Sequence, residues 1–233
     1  MMRARPLHAA AAGILAISLG LAWNASAQTQ GDTRKPDRKR GAVIAAQGTA
    51  AGAPACAQCH AFNGASDGSG AFPRIAGQSL YYLSKQMRDF TSDVRVNAVM
   101  SPIAKALTPD DIADVAAYYA GVNAPFLPLR NSDPALIKSG KELAKVGNAS
   151  NGIQACDNCH GPSGAGEPPA IPYLAGQYAT YIVFELRMWQ RGFRKSSPES
   201  MAEVARQLND QEIAAVAAYY EQVQGSAKLT TSD

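Results

Sequence analysis

Two short segments contain all four cysteines of the chain and two of its three histidines. They read Cys56-Ala-Gln-Cys59-His60 and Cys156-Asp-Asn-Cys159-His160. In this C-x-x-C-H pattern each thiol can form a thioether with a haem vinyl group, and the imidazole that follows is placed to bind the iron. The sequence therefore predicts two covalently bound haem c groups, attached through the cysteines, with His60 and His160 as the proximal iron ligands.

Three other uses of four cysteines fit less well. Two disulfides do not require a histidine after each pair, and a thioredoxin-like redox pair expects a βαβ context that the sequence lacks. A zinc site with four cysteines would use both pairs together, yet each pair lies in its own copy of a long repeat.

The histidine count limits the remaining ligands of each iron. His8 lies in the segment predicted below to be a signal peptide, so the mature chain has one histidine for each haem. This count excludes a second histidine ligand from the same chain and any further histidine-based metal or acid–base site.

Methionine is the best candidate for the sixth ligand, because a thioether is a soft neutral donor that suits haem iron. Four methionines remain after Met1 and Met2 are set aside. Met100 and Met201 occupy equivalent positions, each in a predicted loop before the last helix of its copy, and we predict both as iron ligands. Met87 and Met188 do not align with each other, and we predict them as core residues.

The chain repeats itself at a period near 100 residues, which indicates two tandem domains. The matching segments are 41–48 with 140–147, 72–78 with 171–177, and 100–107 with 201–208. Apolar spacing predicts that each copy has an opening helix, a middle helix (81–90 or 181–189) and a closing helix. Thr108 has the sequence signature of an N-cap, with Pro109 at the first helical position.

The predicted division of the chain follows from these repeats. Residues 1–27 have the features of a signal peptide: Arg3 and Arg5, then an apolar run, then a small-residue cleavage site at 25–27. Residues 28–40 are a basic flexible leader, 41–120 the first domain, 121–134 a proline-rich linker, 135–225 the second domain and 226–233 a tail. Export to the periplasm fits the haem prediction, since bacteria attach haem c outside the cytoplasm; an uncleaved anchor is the alternative.

The charge balance argues against nucleic-acid binding. The chain has 22 basic and 19 acidic residues, and loss of Arg3 and Arg5 leaves 20 − 19, or +1. Much of the positive charge lies in the leader, between residues 34 and 40. A solvated leader is the preferred interpretation, and contact with an acidic partner or peripheral association with a membrane stays open.

These motifs, taken together, resemble class I cytochromes c. The resemblance lies in C-x-x-C-H, then Pro-x-Ile/Leu-Ala-Gly-Gln, then a methionine before Ile/Val-Ala, then a closing helix with a Tyr-Tyr pair. The tandem arrangement is similar to the dihaem cytochrome c4 group, and the similarity extends over about residues 41–224. It implies an all-α fold, with each domain wrapped around one haem.

The resemblance also implies roles for individual residues. The carbonyl groups of Pro73 and Pro172 would accept the Nδ1–H of the two proximal histidines. Arg74 would lie near a haem propionate, whereas Tyr173 replaces it in the second copy. The family usually has glycine directly after the first pentapeptide, where this chain has Ala61.

The function expected from this resemblance is outer-sphere electron transfer by a carrier that is not an enzyme. Its partners would be a donor reductase or dehydrogenase and an acceptor oxidase or other cytochrome. One alternative is a haem-bearing subunit of a larger dehydrogenase or terminal oxidase complex. A dihaem enzyme is disfavoured, because it would need an open or unusually ligated haem and the chain has no spare histidine or cysteine.

Overall fold

The computed structural model describes residues 34–126 and 133–223. The predicted signal peptide and tail, residues 28–33 of the predicted leader and residues 127–132 of the predicted linker lie outside these ranges. Within the described ranges the secondary structure is helical, apart from three isolated bridges. None of the helices found there is long and apolar enough to cross a membrane.

Two copies of one helical arrangement follow each other along the chain, inside one compact unit that begins at Lys35. The first copy contains α1 (Arg38–Gln47), α2 (Ala57–His60), α3 (Leu80–Thr91), α4 (Met100–Lys105) and α5 (Pro109–Ala120). The second contains α6 (Pro134–Val146), α7 (Asp157–His160), α8 (Ala179–Gln190), α9 (Met201–Gln207) and α10 (Asp210–Gln222). Short 3₁₀ turns at Ala149–Asn151 and Pro162–Gly164 are found in the second copy alone among the described residues.

The opening and closing helices of each copy cross in close contact. A Cβ atom on Gly41 would lie 2.0 Å from the Asp114 carbonyl oxygen, and one on Gly140 would lie 1.9 Å from the Ala215 carbonyl oxygen. Only glycine permits backbones to approach so closely. The crossing then forms one side of an apolar core that includes Ile44 and its neighbours in the first copy.

Capping determines where the closing helices begin. Thr108 is the N-cap of α5, as the sequence predicts, and it forms a capping box with Asp111. Asn209 and Glu212 form the equivalent capping box at α10.

The start of α1 corrects the predicted leader, because residues 38–40 are helical rather than flexible. Asp37 caps this helix by accepting hydrogen bonds from the Lys39 and Arg40 amides. The Arg40 side chain then pairs with Asp111 and, at 2.5 Å, with Asp114 of α5. These contacts join residues distant in sequence, so the local composition of the leader does not reveal them.

The two methionines predicted as ligands begin helices rather than lying in loops. Met100 is the first residue of α4, and Met201 is the first residue of α9. Before α4, the Asn97 side chain accepts hydrogen bonds from the Val99 and Met100 amides, both at 2.9 Å. These hydrogen bonds to an asparagine side chain fold the backbone into a turn directly before α4.

Candidate haem sites

One helical turn in each domain carries both thiols and the imidazole. The Cys59 and His60 amides donate to the Cys56 carbonyl oxygen at 3.2 and 2.9 Å, and the equivalent bonds of the second pentapeptide have the same lengths. No disulfide joins any of the four cysteines, so each can form a thioether link. Burial raises the pKa of the Cys56 and Cys156 thiols to about 11. The first thiol of each pair therefore lacks the low pKa of a thioredoxin-like nucleophile.

Each proximal histidine is oriented by a backbone carbonyl. His60 Nδ1 lies 3.1 Å from the Pro73 oxygen, and His160 Nδ1 lies 2.9 Å from the Pro172 oxygen. A carbonyl oxygen only accepts, so the proton is on Nδ1 and the lone pair of Nε2 is left to bind iron. Burial lowers the pKa of both imidazoles, which favours the neutral form that a metal ligand requires. These residues fit a covalently attached haem.

The methionines lie at matching places in the two copies. Met100 and Met201 are both half-buried, and Met201 packs against the apolar core of the second domain. Met87 packs against the core of the first domain. The assignment of Met100 and Met201 as iron ligands stays a prediction.

The Arg74 side chain contacts the segment that follows the first domain. Its guanidinium group donates to the Pro125 carbonyl oxygen at 2.8 Å and also to the Ala124 carbonyl oxygen. It lies 4.5 Å from the centre of the Phe126 ring. The contact between Arg74 and a haem propionate stays a prediction. The same guanidinium group would have to make that contact while it keeps its contacts to residues 124–126. Its counterpart, Tyr173, donates from its hydroxyl to the Ala76 carbonyl oxygen of the first domain at 2.7 Å.

A buried polar cluster between the domains was not predicted from the sequence. Two arginines at equivalent positions, Arg95 and Arg194, share one carboxylate, that of Glu185. Both arginines also donate to the side-chain oxygen Oε1 of Gln86, at 2.9 and 2.8 Å. The Tyr181 and Tyr82 hydroxyls accept from Arg95 and Arg194 respectively, each tyrosine belonging to the other copy. The repeat aligns Arg95 with Arg194, and this match is the signal by which the pair could have been found.

The cluster has an excess of positive charge, because two guanidinium groups face one carboxylate. Burial alone would raise the pKa of Glu185, but Arg95 and Arg194 outweigh that effect and hold the pKa below its usual range. Two backbone hydrogen bonds join the domains beside this cluster. The Val96 amide donates to the Phe193 carbonyl oxygen at 2.8 Å, and the Lys195 amide donates to the Val94 carbonyl oxygen at 2.7 Å.

Comparison with known proteins places this arrangement in a family. The sequence model described as "Cytochrome c" matches residues 39–122 and again residues 137–224. The two matches take in most of the chain, and the chain therefore belongs to the cytochrome c family.

Its relatives narrow the group further. The chain is 36% identical to cytochrome c4 of Pseudomonas aeruginosa over 184 residues, which cover 77% of this chain and 90% of that one. It is 35% identical to the thiosulfate dehydrogenase electron acceptor of Stutzerimonas stutzeri over 220 residues, or 94% of this chain and 96% of that one.

Two solved structures have a similar fold. Reduced recombinant cytochrome c4 from Pseudomonas stutzeri has a TM-score of 0.70 at 29% identity, with 81% of this chain and 99% of that one covered. The thiosulfate dehydrogenase (TsdBA) from Marichromatium purpuratum has a TM-score of 0.73 at 38% identity; 79% of this chain is covered, but only 40% of that longer chain.

These findings confirm the main predictions from the sequence. The protein is a dihaem, cytochrome c4-like electron-transfer protein, with two all-α cytochrome c domains that each bind one covalent haem c. It is an electron carrier and not an enzyme. The haem groups supply the one-electron redox chemistry, while the protein holds each imidazole in one orientation and one protonation state.

Proposed function

We propose that His60 and Met100 bind the first haem iron, and that His160 and Met201 bind the second. The four cysteines would carry the thioether links to the two haems. The Nδ1–H contacts of both histidines support this ligand set, because they leave Nε2 unprotonated. The matching helix-start positions of the two methionines support it as well. With a histidine and a methionine bound, neither iron would offer a coordination site to a substrate.

Single methionine variants test these ligands. Met100→Ala and Met201→Ala should each abolish the methionine–iron charge-transfer band of one oxidised haem and lower its reduction potential, since a methionine ligand raises the potential. Met87→Leu is the matched control and should leave both bands intact. A variant of Met100 or Met201 that retained both bands would refute the assignment of that residue.

The protein would carry out this function in the periplasm after cleavage of residues 1–27. The charge and apolar pattern of that segment supports export. The proposed two domains follow the internal repeat, with the first beginning at Arg38 in α1 and the second at Pro134 in α6. No membrane-binding role is proposed for Arg38 or Arg40, because Arg38 donates to the Gly121 carbonyl oxygen at 3.0 Å and Arg40 is paired with α5.

The electron donor would be a thiosulfate-oxidising dehydrogenase. The observation that carries this proposal is the similarity, over almost the whole of both chains, to a thiosulfate dehydrogenase electron acceptor. A second relative of that name, from Thiomonas intermedia, is 36% identical over 166 residues. Electrons would pass on to another cytochrome or to a terminal oxidase.

Catalysed reduction of the purified dihaem protein tests this donor. With thiosulfate and a catalytic amount of a thiosulfate dehydrogenase, both haems should become reduced, at a rate proportional to the amount of enzyme. Thiosulfate without the enzyme is the control and should reduce neither haem at that rate. Failure of reduction, in a protein that a chemical reductant reduces fully, would rule out this donor.

A second candidate is a haem-bearing unit held within a larger complex. It is favoured by the TsdBA structure, in which the similar region makes up 40% of a longer chain. Stable co-elution with the dehydrogenase in size-exclusion chromatography would favour this alternative. Separate elution together with rapid reduction would favour a diffusing carrier.

A further inference from the structure

Two buried glutamines join the domains by a matched pair of contacts. Gln177, in the second domain, accepts the Arg74 amide proton on Oε1 at 2.9 Å and donates from Nε2 to the Arg74 carbonyl oxygen at 2.8 Å. Gln78, in the first domain, does the same to Tyr173, at 3.2 and 3.3 Å. The two glutamines are only 6% and 5% exposed, for Gln78 and Gln177 respectively. Each glutamine side chain is therefore hydrogen-bonded to the backbone of the other domain.

The peptide group that each glutamine binds also orients a proximal histidine. The Arg74 amide N–H and the Pro73 carbonyl belong to one peptide group, and that carbonyl lies 3.1 Å from His60 Nδ1. A continuous path thus runs from the His60 ring, through one peptide group, to the Gln177 side chain. The Pro172–Tyr173 peptide group connects His160 to Gln78 in the same way.

Hydrogen bonds in such a chain polarise one another. When Gln177 accepts the peptide N–H, the carbonyl oxygen at the other end of that peptide becomes more negative and a stronger acceptor for His60 Nδ1–H. A stronger acceptor at Nδ1 raises the basicity of the imidazole as a metal ligand. A more basic ligand stabilises ferric over ferrous iron and so lowers the reduction potential.

We propose that Gln177 is a positioning residue for His60 and Gln78 for His160, so that each domain tunes the haem potential of the other. The proposal rests on the assignment of both histidines as iron ligands. The crossed direction distinguishes it from a purely structural contact. Loss of a glutamine that only stabilises the interface would not selectively change the reduction potential of the haem in the other domain.

The test is a redox titration of the mature dihaem protein in which NMR follows the hyperfine-shifted haem resonances, so that each potential is assigned to one haem. Gln177→Leu should favour reduction of the haem bound by His60 by roughly threefold, given cooperative strengthening of tens of per cent per bond. That factor corresponds to an upward shift of about 28 mV, since tenfold is 59 mV for one electron. Gln78→Leu should shift the haem bound by His160 instead.

A matched control breaks a different contact between the domains. Thr180 donates from Oγ1 to the Gly70 carbonyl oxygen at 2.9 Å, outside both paths to a histidine. Thr180→Val should leave the difference between the two potentials unchanged. If either leucine variant fails to fold, the shorter Gln177→Asn and Gln78→Asn variants should give the same crossed shifts with smaller size.

The possible outcomes separate the claims. Shifts confined to the haem of the mutated domain, equal shifts of both haems, or no shift would each overturn the crossed tuning. A wild-type protein in which the His60 or His160 ring lacked hyperfine-shifted resonances would instead overturn the ligand assignment. Reduction by a dehydrogenase is not part of this measurement, so it leaves the proposed electron donor to its own test.

Discussion

Replacing Glu185 by glutamine would remove the carboxylate that two buried arginines share. Glu185 is 6% exposed and pairs with Arg95 and, at 2.6 Å, with Arg194. A glutamine side chain would keep the shape of the glutamate but leave both guanidinium groups with the neutral acceptors of the cluster. Removing one partner of a buried ion pair costs about 3–5 kcal/mol, because the remaining charge is left buried and uncompensated. We therefore expect Glu185→Gln to lower the free energy of unfolding by about that amount.

Urea unfolding of the mature dihaem protein, followed by far-UV circular dichroism and the Soret band, measures this loss. The first copy provides a matched control, because Gln86 accepts from both arginines at the position equivalent to Glu185. Gln86→Glu adds a second carboxylate and should not destabilise the protein. A loss below about 1 kcal/mol for Glu185→Gln, which is the range of exposed pairs, would refute the view that this cluster depends on charge.

The wild-type protein and Glu185→Gln also give a test by pH. The folded pKa of Glu185 lies below its usual range, so the carboxylate contributes stability above the unfolded value of about 4.3, and this contribution is lost as the pH falls through the folded pKa. The gap in stability between the two proteins should therefore narrow in acid. A gap that stayed constant from neutral pH to below pH 3, roughly one unit under the reference value, would contradict this account.

Three further substitutions test local features of the fold. Ala61 has φ 56° and ψ 159°, a backbone region that is essentially restricted to glycine. Ala61→Gly should therefore stabilise the first domain by about 1 kcal/mol, after the cost of the more flexible unfolded chain is subtracted, and a lower urea midpoint would contradict this. Gly140→Ala would place Cβ 1.9 Å from the Ala215 carbonyl oxygen and should destabilise the second domain by at least about 2 kcal/mol, whereas an unchanged midpoint would mean that α6 and α10 move apart freely. Thr108→Ala removes the side chain that accepts the Asp111 amide at 3.1 Å and should cost about 1 kcal/mol, with Thr108→Ser retaining most of the stability in the same assay.

The haem attachment and the tandem fold could be predicted because their signals are local in sequence. Two thiols and an imidazole on one helical turn define the attachment chemistry, and the repeat then aligns every helix with its counterpart. The N-cap at Thr108 was equally readable, since a capping box involves residues three positions apart. The sequence also showed Ala61 as an unusual residue after the first C-x-x-C-H segment, but only the structure shows that its φ is positive.

The contacts between the domains could not be predicted in this way. The repeat aligns Gln78 with Gln177, but only the placement of the two domains brings each glutamine against the opposite backbone. The start of α1 was missed for a related reason, since Arg40 is fixed by Asp114 of a distant helix. Composition alone makes the same basic residues look like a solvated leader.

The most direct test of the central claim is an optical redox titration of the purified mature protein, with the haem content measured as the pyridine adduct. We expect two haems per chain, a methionine–iron charge-transfer band from both in the oxidised state, two one-electron steps, and no rapid binding of carbon monoxide. A single haem per chain would contradict the account. So would a haem that lacked the band and bound carbon monoxide readily, because that domain would have an open iron rather than the closed site of an electron carrier.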